Sequence, residues 1–527
     1  MKLNTVAWNT ASISHGLYEI GSARGILLAH LRNILNEFHG VEQSLEYYDL
    51  VAGAWLEFFM QSIYFAWYEV SSGNISSELG PIPVIHRSHE ALVIAKDIRW
   101  HQHLRAAVSK LIEGHSIENW RFDQRATDIT NDIRGRLVQK SFTTIATSKP
   151  KIIITDPCFK CSYRDWATAV WRWRKWIRVD NMRYPIYTSA SIDILWRKNK
   201  LNEMRSQSNK FLDLVTTLLP LYIPVTLLEG FKSYRESALE LKLHRPNAVY
   251  SATSLHSCFT FNLLIAEWRQ EGTKLLYHQH GGGYGMEKDM IVEDYELRVS
   301  DRYYSWGWNR AGASIRPLSP AITYPSSRIK NDKTLLITTD FPRLPYKLMH
   351  SPMPATIELM HRNVCEFLKT YSKKDNLIIR PYPVDMGWGI LDAMRLVSVG
   401  ASFNTRSRLS TLINESRLTV ISYLGTTWLE TLGLNIPTIC FYNSESYHFR
   451  EEVESHIAAL HDVGILHNSG KDVALFIASL GNDIEAWWKS WKVQEVRLQF
   501  VKHYANFSPN WMMDWENEFQ SIADDRK

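Results

Sequence analysis

Apolar and polar positions along this chain fall into two successive rhythms. In the first, helical stretches alternate with short β-rich runs that end at a polar or small residue: 151–155 before Asp156, 221–228 before Glu229, 248–250 before Ser251 and 274–277 before His278. The rhythm restarts at Thr334, with candidate strands at 335–338, 377–379, 396–399, 419–422 and 438–441 and helical patterns between most of them. Strands spaced by helices predict parallel sheets, so the fold class is α/β, with two Rossmann-like domains. Their expected bounds are 1–320, including extra N-terminal helices, and 330–527, with a Pro- and Ser-rich linker at 316–327. Helical patterns at 473–480 and 484–504 finish the second domain, and the last segment is expected to return to the first. The most apolar long run, 50–67, is interrupted by Glu57 and Gln61 and reads as a buried helix rather than a membrane span.

Composition narrows the class. At 527 residues the chain is too long for one core, and no segment is low-complexity. A net charge of +5 is too small for this length to argue for a nucleic-acid partner. Five cysteines make no disulfide framework, and Cys158-Phe159-Lys160-Cys161 alone is weak evidence for metal or redox chemistry. With no signal-peptide order in residues 1–5, a cytoplasmic protein is expected. One basic, aromatic stretch, 171–178, would suit the inner face of a membrane or an anionic acceptor. The competing reading takes Trp166, Val170, Trp173 and Ile177 as the apolar stripe of a helix whose other face carries Arg172, Lys175 and Arg178.

Candidate chemistry centres on two segments. The run 274–277 leads into His278-Gln279-His280 and then four glycines in five positions, Gly281 to Gly283 and Gly285, so bare backbone is offered where a ligand must come close. A tight turn with a hydrogen-bonded histidine is the plainer alternative. Downstream, a β-branched run ends at Gly425-Thr426-Thr427 and a helical pattern follows, a strand-turn-helix whose first-turn amides suit a phosphate. Thr427 and Glu430 also read as a capping box, which would make both structural. Ligands of doubly wound sheets collect beyond the carboxyl ends of the strands, so Asp156, Glu229, Ser251 and His280 are expected on one crevice.

Two Rossmann-like domains facing each other across a cleft describe the GT-B architecture. The chain resembles a transferase family of bacterial surface-carbohydrate clusters, distantly similar to the β-Kdo transferases of capsule and O-antigen synthesis. The resemblance rests on Tyr47-Tyr48-Asp49 with Gly53, Leu228-Glu229-Gly230-Phe231, Gln279-His280-Gly281-Gly282, Tyr303 to Trp308, Arg380-Pro381-Tyr382-Pro383 and Leu424-Gly425-Thr426-Thr427 through Glu430. Tyr382 departs from the His that capsule-type relatives tend to carry. The resemblance implies a glycosyltransferase, with a CMP-Kdo-like nucleotide sugar as donor and a glycan or lipid-linked glycan as acceptor, working without a metal or other cofactor.

Such a reaction needs a held phosphate, a base or nucleophile, and a dry cleft. Gln279, Gly281, Gly282, Arg380, Gly425, Thr426, Thr427 and Glu430 are the expected donor and phosphate residues, and His280, Glu229 and Asp156 the catalytic candidates. A polyol-phosphate-type phosphotransferase and a non-catalytic glycan-binding protein of the same architecture are the rival readings.

Overall fold

The computed structural model describes residues 10–72, 85–86, 90, 94–95, 97–115, 149–184, 190–203, 209–323, 331–342, 347–349 and 354–524. Residues 1–5, read above for a targeting signal, and 324–330, in the expected linker, lie outside them. Two six-stranded sheets organise the chain. The first contains β1 (Ile152–Ile154), β2 (Ile177–Val179), β3 (Ala248–Ser251), β4 (Lys274–His278), β5 (Arg302–Ser305) and β6 (Ile315–Pro317) in the order β2-β1-β3-β4-β5-β6. The second contains β7 (Thr334–Ile337), β8 (Leu377–Arg380), β9 (Ser402–Phe403), β10 (Leu418–Ile421), β11 (Thr438–Phe441) and β12 (Leu466–His467).

Every pairing within both sheets is parallel. Read from β9, the second sheet runs β9-β8-β7-β10-β11-β12, which is the 3-2-1-4-5-6 order of dinucleotide-binding folds with its switch point between β7 and β10. In the first sheet the order reverses between β1 and β3. β1, β3, β7, β10 and β11 are buried along their whole length, as strands covered on both faces must be. The fold is thus α/β and GT-B-like.

Five sequence expectations fail locally. Residues 221–228 form no strand: the helix Lys210–Tyr222 takes the start of the run, and Pro224 then opens a turn in which the amides of Leu227 and Leu228 donate to the Pro224 carbonyl. A fully apolar run does not distinguish a buried strand from a buried helix. Residues 396–399 belong instead to the end of the helix Ile390–Val397, where Leu396 and Val399 lie in solvent, and the strand comes later, at β9. The pattern at 484–504 breaks at Ser490 into two helices. Ile177 leaves the stripe of Trp166, Val170 and Trp173, because that helix ends at Trp173 and Ile177 starts β2. Part of the expected linker, Arg316 and Pro317, is instead the edge strand β6.

Two long helices, α1 (Thr10–His39) and α2 (Leu45–Ser71), begin the described chain. Ser44 caps α2 by accepting from the Tyr47 amide at 3.2 Å. The run that looked membrane-like is buried in the protein, and among the described residues no helix is long and apolar enough to cross a membrane. Glu57 in that run and Asp49 just before it are neutralised inside: Arg24 of α1 pairs with both. Arg298, on α3 (Ile291–Val299), adds bonds of 3.0 Å to Asp49 and 3.1 Å to Glu57, tying α3 to both helices. Gly53 is required there, since a β-carbon would lie 2.8 Å from the Tyr295 ring.

After α4 (Thr426–Gly433) of the second sheet, the last helix, α5 (Trp511–Asp524), returns to the first sheet. Trp515 is fully buried, packs on Tyr250, His278 and Tyr304, and donates from Nε1 to the Ser319 carbonyl at 2.9 Å. In the basic aromatic stretch, Trp173 joins this core, Arg172 pairs with Glu516 of α5, and Trp171 stays 63% exposed beneath Arg174. Trp515→Ala should therefore cost about 3–5 kcal/mol in urea unfolding, the range for a buried large aromatic. Trp171→Ala should stay within about 0.5 kcal/mol, as for surface sites generally.

Candidate active site

The glycine-rich loop leaves the carboxyl end of β4 and is fixed at its root by Gln279. The Gln279 side-chain oxygen accepts from the Trp306 amide at 2.9 Å and from Trp308 Nε1 at 2.8 Å, its amide nitrogen donates to the Gly281 carbonyl at 2.9 Å, and its own carbonyl accepts from Trp306 Nε1 at 3.0 Å. Gln279 is buried. Its polar atoms hold the Trp-Gly-Trp loop to the glycine loop.

The glycines serve contact between the two sheets. A β-carbon on Gly282 would lie 2.5 Å from the Gly425 carbonyl carbon and 2.6 Å from its oxygen, and one on Gly281 would lie 3.2 Å from Thr426 Oγ1. The Gly282 amide donates to Thr426 Oγ1 at 3.3 Å. So Gly281, Gly282, Gly425 and Thr426, far apart in sequence, meet where the two domains face each other. Gly283 and Gly285 take left-handed φ values of 89° and 72° as the loop turns.

Gly425 precedes α4 (Thr426–Gly433), which starts at the switch point of the second sheet. No side chain caps this helix, so the capping-box reading of Thr427 and Glu430 is corrected. Thr427 Oγ1 instead lies 3.4 Å from Tyr423 Oη, and the buried Glu430 pairs with Lys160 from the first half of the chain. An uncapped first turn leaves amides and the positive end of the helix dipole to whatever occupies the gap. Arg380 ends β8 on the same sheet edge, two strands or roughly 10 Å from β10, with Nη1 donating to the Asn404 carbonyl at 3.0 Å.

The carboxylate candidates separate. Glu229 lies apart from the glycine loop: Arg197, fully buried, holds both of its oxygens at 2.7 Å, and the Asp193 amide adds a bond of 3.0 Å. Asp156 does sit at the carboxyl end of β1, in a left-handed conformation with φ 39°, and bridges the switch point by accepting from Ser254 Oγ at 3.0 Å. Arg183 neutralises it at 2.6 Å and also donates to Ser257 Oγ at 2.9 Å.

His280 stands in a cluster that sequence reading missed. Glu296 of α3, fully buried, accepts from Tyr284 Oη at 3.1 Å, from Tyr303 Oη at 3.1 Å and from His256 Nε2 at 2.9 Å, and lies 3.8 Å from His280 Nδ1. Tyr284 Oη also lies 3.3 Å from His280 Nδ1. Oη also lies 3.4 Å from Nε2, and the tautomer in which Nδ1–H donates to Oη, and Oη–H to Glu296, would leave His280 Nε2 as a lone-pair base. Burial pushes His280 down to about 4 against the opposing pull of Glu296, and His256 down to about 3. Burial pushes the Glu296 carboxyl up to about 7, although His280 and the two tyrosines favour its charged form. At neutral pH His280 is therefore an uncharged base beside a partly protonated acid. One sequence signal existed: Glu293, Glu296 and Val299 recur three apart on one helix face, and all three are buried.

Cys158 and Cys161 are free thiols. Among the described residues no group of three or more His, Cys, Asp or Glu side chains is arranged to hold a metal ion.

Because its folded-state value is raised from 4.5 to about 7, Glu296 stabilises the fold below pH 4.5 and loses that contribution as pH rises to 7. Glu296→Gln should therefore gain on the wild type by roughly 3 kcal/mol between pH 4.5 and pH 8 in urea melts. The depressed histidines lower stability as pH falls below 6.5 in both proteins and largely cancel in the difference. A pH-independent difference would show that Glu296 does not titrate in this range.

No curated protein sequence matches the chain significantly. Among solved structures, an O-GlcNAc transferase mutant from Thermobaculum terrenum aligns at 11% identity over 96% of this chain and 98% of that one, with a TM-score of 0.35. A UDP-GlcNAc 2-epimerase from Neisseria meningitidis, bound to UDP-GlcNAc, aligns at 9% identity over 70% of this chain and all of that one (100%), with a TM-score of 0.38. The LIC12162 family transferase profile matches residues 5–519, nearly the whole chain. The chain belongs to the LIC12162 family of transferases.

Proposed function

We propose that this transferase is a glycosyltransferase that moves a sugar from a nucleotide-activated donor to a bacterial surface-glycan acceptor, at the cytoplasmic face of the membrane. Domains of residues 1–320 and 330–527 carry the acceptor and donor sides respectively. One observation carries the reading: the uncapped first turn of α4 and the loop bearing a neutral His280 come together across the gap between two parallel sheets. Each side has what one half of the reaction needs. The amides of α4, the Thr427 hydroxyl and Arg380 hold the donor phosphate and take up the negative charge that grows on it. His280 Nε2 accepts the proton of the acceptor hydroxyl as its oxygen bonds to the anomeric carbon. The bond from that carbon to the phosphate oxygen breaks, and the nucleotide leaves with both electrons. Glu296 and Tyr284 orient the imidazole, a positioning role that Glu229 has no contact to fulfil. CMP-Kdo is the preferred donor on the family resemblance set out above.

A thermal-shift panel of CMP, UDP, GDP and ADP tests the donor side. A nucleotide held at 100 times its Kd stabilises the fold by about 2.7 kcal/mol, a rise of a few degrees in Tm. The expected result is a shift by CMP that is lost in Thr427→Ala and kept in His280→Ala. With a turnover assay in hand, His280→Ala should lower kcat by about 10²–10⁴. No shift with any nucleotide would overturn the proposal, and phosphate appearing on the acceptor would indicate a phosphotransferase instead.

A further inference from the structure

Trp171 belongs to none of the apolar cores, yet it stands at the centre of one helix face. At about 100° per residue, the helix Tyr163–Trp173 turns Ala169, Val170 and Trp173 inward. Tyr163, Arg164, Ala167, Thr168 and Trp171 make up the opposite face, and all five are exposed, Tyr163 at 71%. The helix starts at the carboxyl edge of the first sheet. Ser162 caps it by accepting from the Asp165 amide at 3.0 Å, and Lys160, two residues earlier, pairs with Glu430 of α4 across the gap between the sheets. The face therefore begins beside the gap and runs to the amino edge of the sheet, where β2 begins.

Its free charge has one sign. Arg164, Arg174 and Lys175 are exposed and pair with no carboxylate among the described residues. Arg174 lies over the Trp171 ring, 4.2 Å from its centroid, and Lys175 Nζ lies 4.0 Å from that of Trp176, so both cations are held against indole rings. The bordering acids are already engaged: Asp165 accepts from Ser162 Oγ at 2.7 Å, and Glu516 pairs with Arg172. Exposed Trp and Tyr beside uncompensated bases match a bilayer with anionic headgroups, in which rings settle at headgroup depth and bases meet lipid phosphates. Tyr163 and Trp171 are about 12 Å apart along the axis of a convex helix, which suits a plane better than a soluble polyanion needing a groove.

We propose that the outer face of the helix Tyr163–Trp173, continued by Arg174 and Lys175, is a docking surface for an anionic lipid bilayer. Tyr163 and Trp171 enter the headgroup layer, and Arg164, Arg174 and Lys175 meet lipid phosphates. The surface rests on the membrane location proposed above and needs nothing of the transfer chemistry. Because the helix starts beside Lys160, a bilayer on this face borders the gap, and a lipid-linked acceptor enters from the membrane side.

The test is co-sedimentation of the full chain with vesicles of phosphatidylcholine, alone or mixed with phosphatidylglycerol. Binding is expected to the mixed vesicles only, and to weaken in high salt. Replacing Arg174→Gln and Lys175→Gln together should lower the partition coefficient about tenfold or more, since each base near an anionic surface contributes separately. Trp171→Ala should lower it several-fold with Tm unchanged. Lys369→Gln with Lys471→Gln removes the same charge from exposed positions in the second half of the chain and should leave binding within about twofold. No binding to mixed vesicles, equal losses in the two double variants, or binding indifferent to Trp171→Ala would each overturn the surface. Capture of soluble polygalacturonate in place of vesicles, lost with Arg174 and Lys175, would overturn it in favour of an acidic glycan. A nucleotide thermal shift in a protein that binds no vesicle would sink the surface and leave glycosyl transfer standing, whereas vesicle binding without any nucleotide shift would do the reverse.

Discussion

The Gly282 backbone lies so close to the Gly425 carbonyl that the loop has no room there for one extra carbon. This contact fixes the separation of the carboxyl edges of the two sheets, and with it the distance between any group bound at α4 and the His280 loop. Other links across the same boundary hold it in register. The Lys288 amide donates to the His448 carbonyl at 2.8 Å, the Arg450 amide to the Met286 carbonyl at 2.9 Å, and Lys160 pairs with Glu430. Most are backbone bonds, which depend little on side-chain identity and tolerate little movement. The glycines therefore explain themselves through packing, and the chemistry they enable is indirect: they let an uncapped helix start face a histidine.

α3 transmits order from the N-terminal helices to that histidine. On one side Arg298 is locked to Asp49 and Glu57, and the Tyr295 hydroxyl donates to the Asp49 carbonyl at 3.1 Å. On another, Glu293 pairs with Arg310 and Arg450. Between them Glu296 is presented to His256, Tyr284 and His280. Buried ion pairs add little net stability, since desolvation offsets most of their attraction, but breaking one partner away costs several kcal/mol. Their value here is positional: a helix pinned by charges on two faces leaves the third little freedom. The motif Tyr47-Tyr48-Asp49 with Gly53, which contains no residue of the site, has its physical reason in this arrangement.

Most of the strands were legible from the sequence because parallel strands buried on both faces are apolar without interruption. The same property misled at 221–228, where a buried helix end gives an identical run, and that error made Glu229 look like a strand-end carboxylate. Edge elements such as β9 and β12 are two residues long and leave no pattern to read. At the site, His280, Gly282 and Thr426 were visible because glycine and helix-start chemistry are local. The partners that hold Gln279 and Glu430, namely Trp306, Trp308 and Lys160, were not legible because tertiary contact sets them. For Glu296 the recurrence with Glu293 and Val299 marked a shared helix face, but the two tyrosines and two histidines around it are likewise set by tertiary contact.

What this cluster achieves follows from where its protons rest. A histidine beside a charged carboxylate would be driven towards the imidazolium and lost as a base near neutrality. Burial opposes that here by disfavouring charge on both partners, so His280 stays neutral while the Glu296 carboxyl is held near 7. If His280 takes a proton, the developing imidazolium would face a carboxyl that can give up its own proton at modest cost, aided by hydrogen bonds from Tyr284 and Tyr303 that strengthen on the anion. The charge would thus be met only when it forms. The relay thus offsets part of the burial penalty on the protonated imidazole, which still leaves His280 at about 4, below its ordinary value.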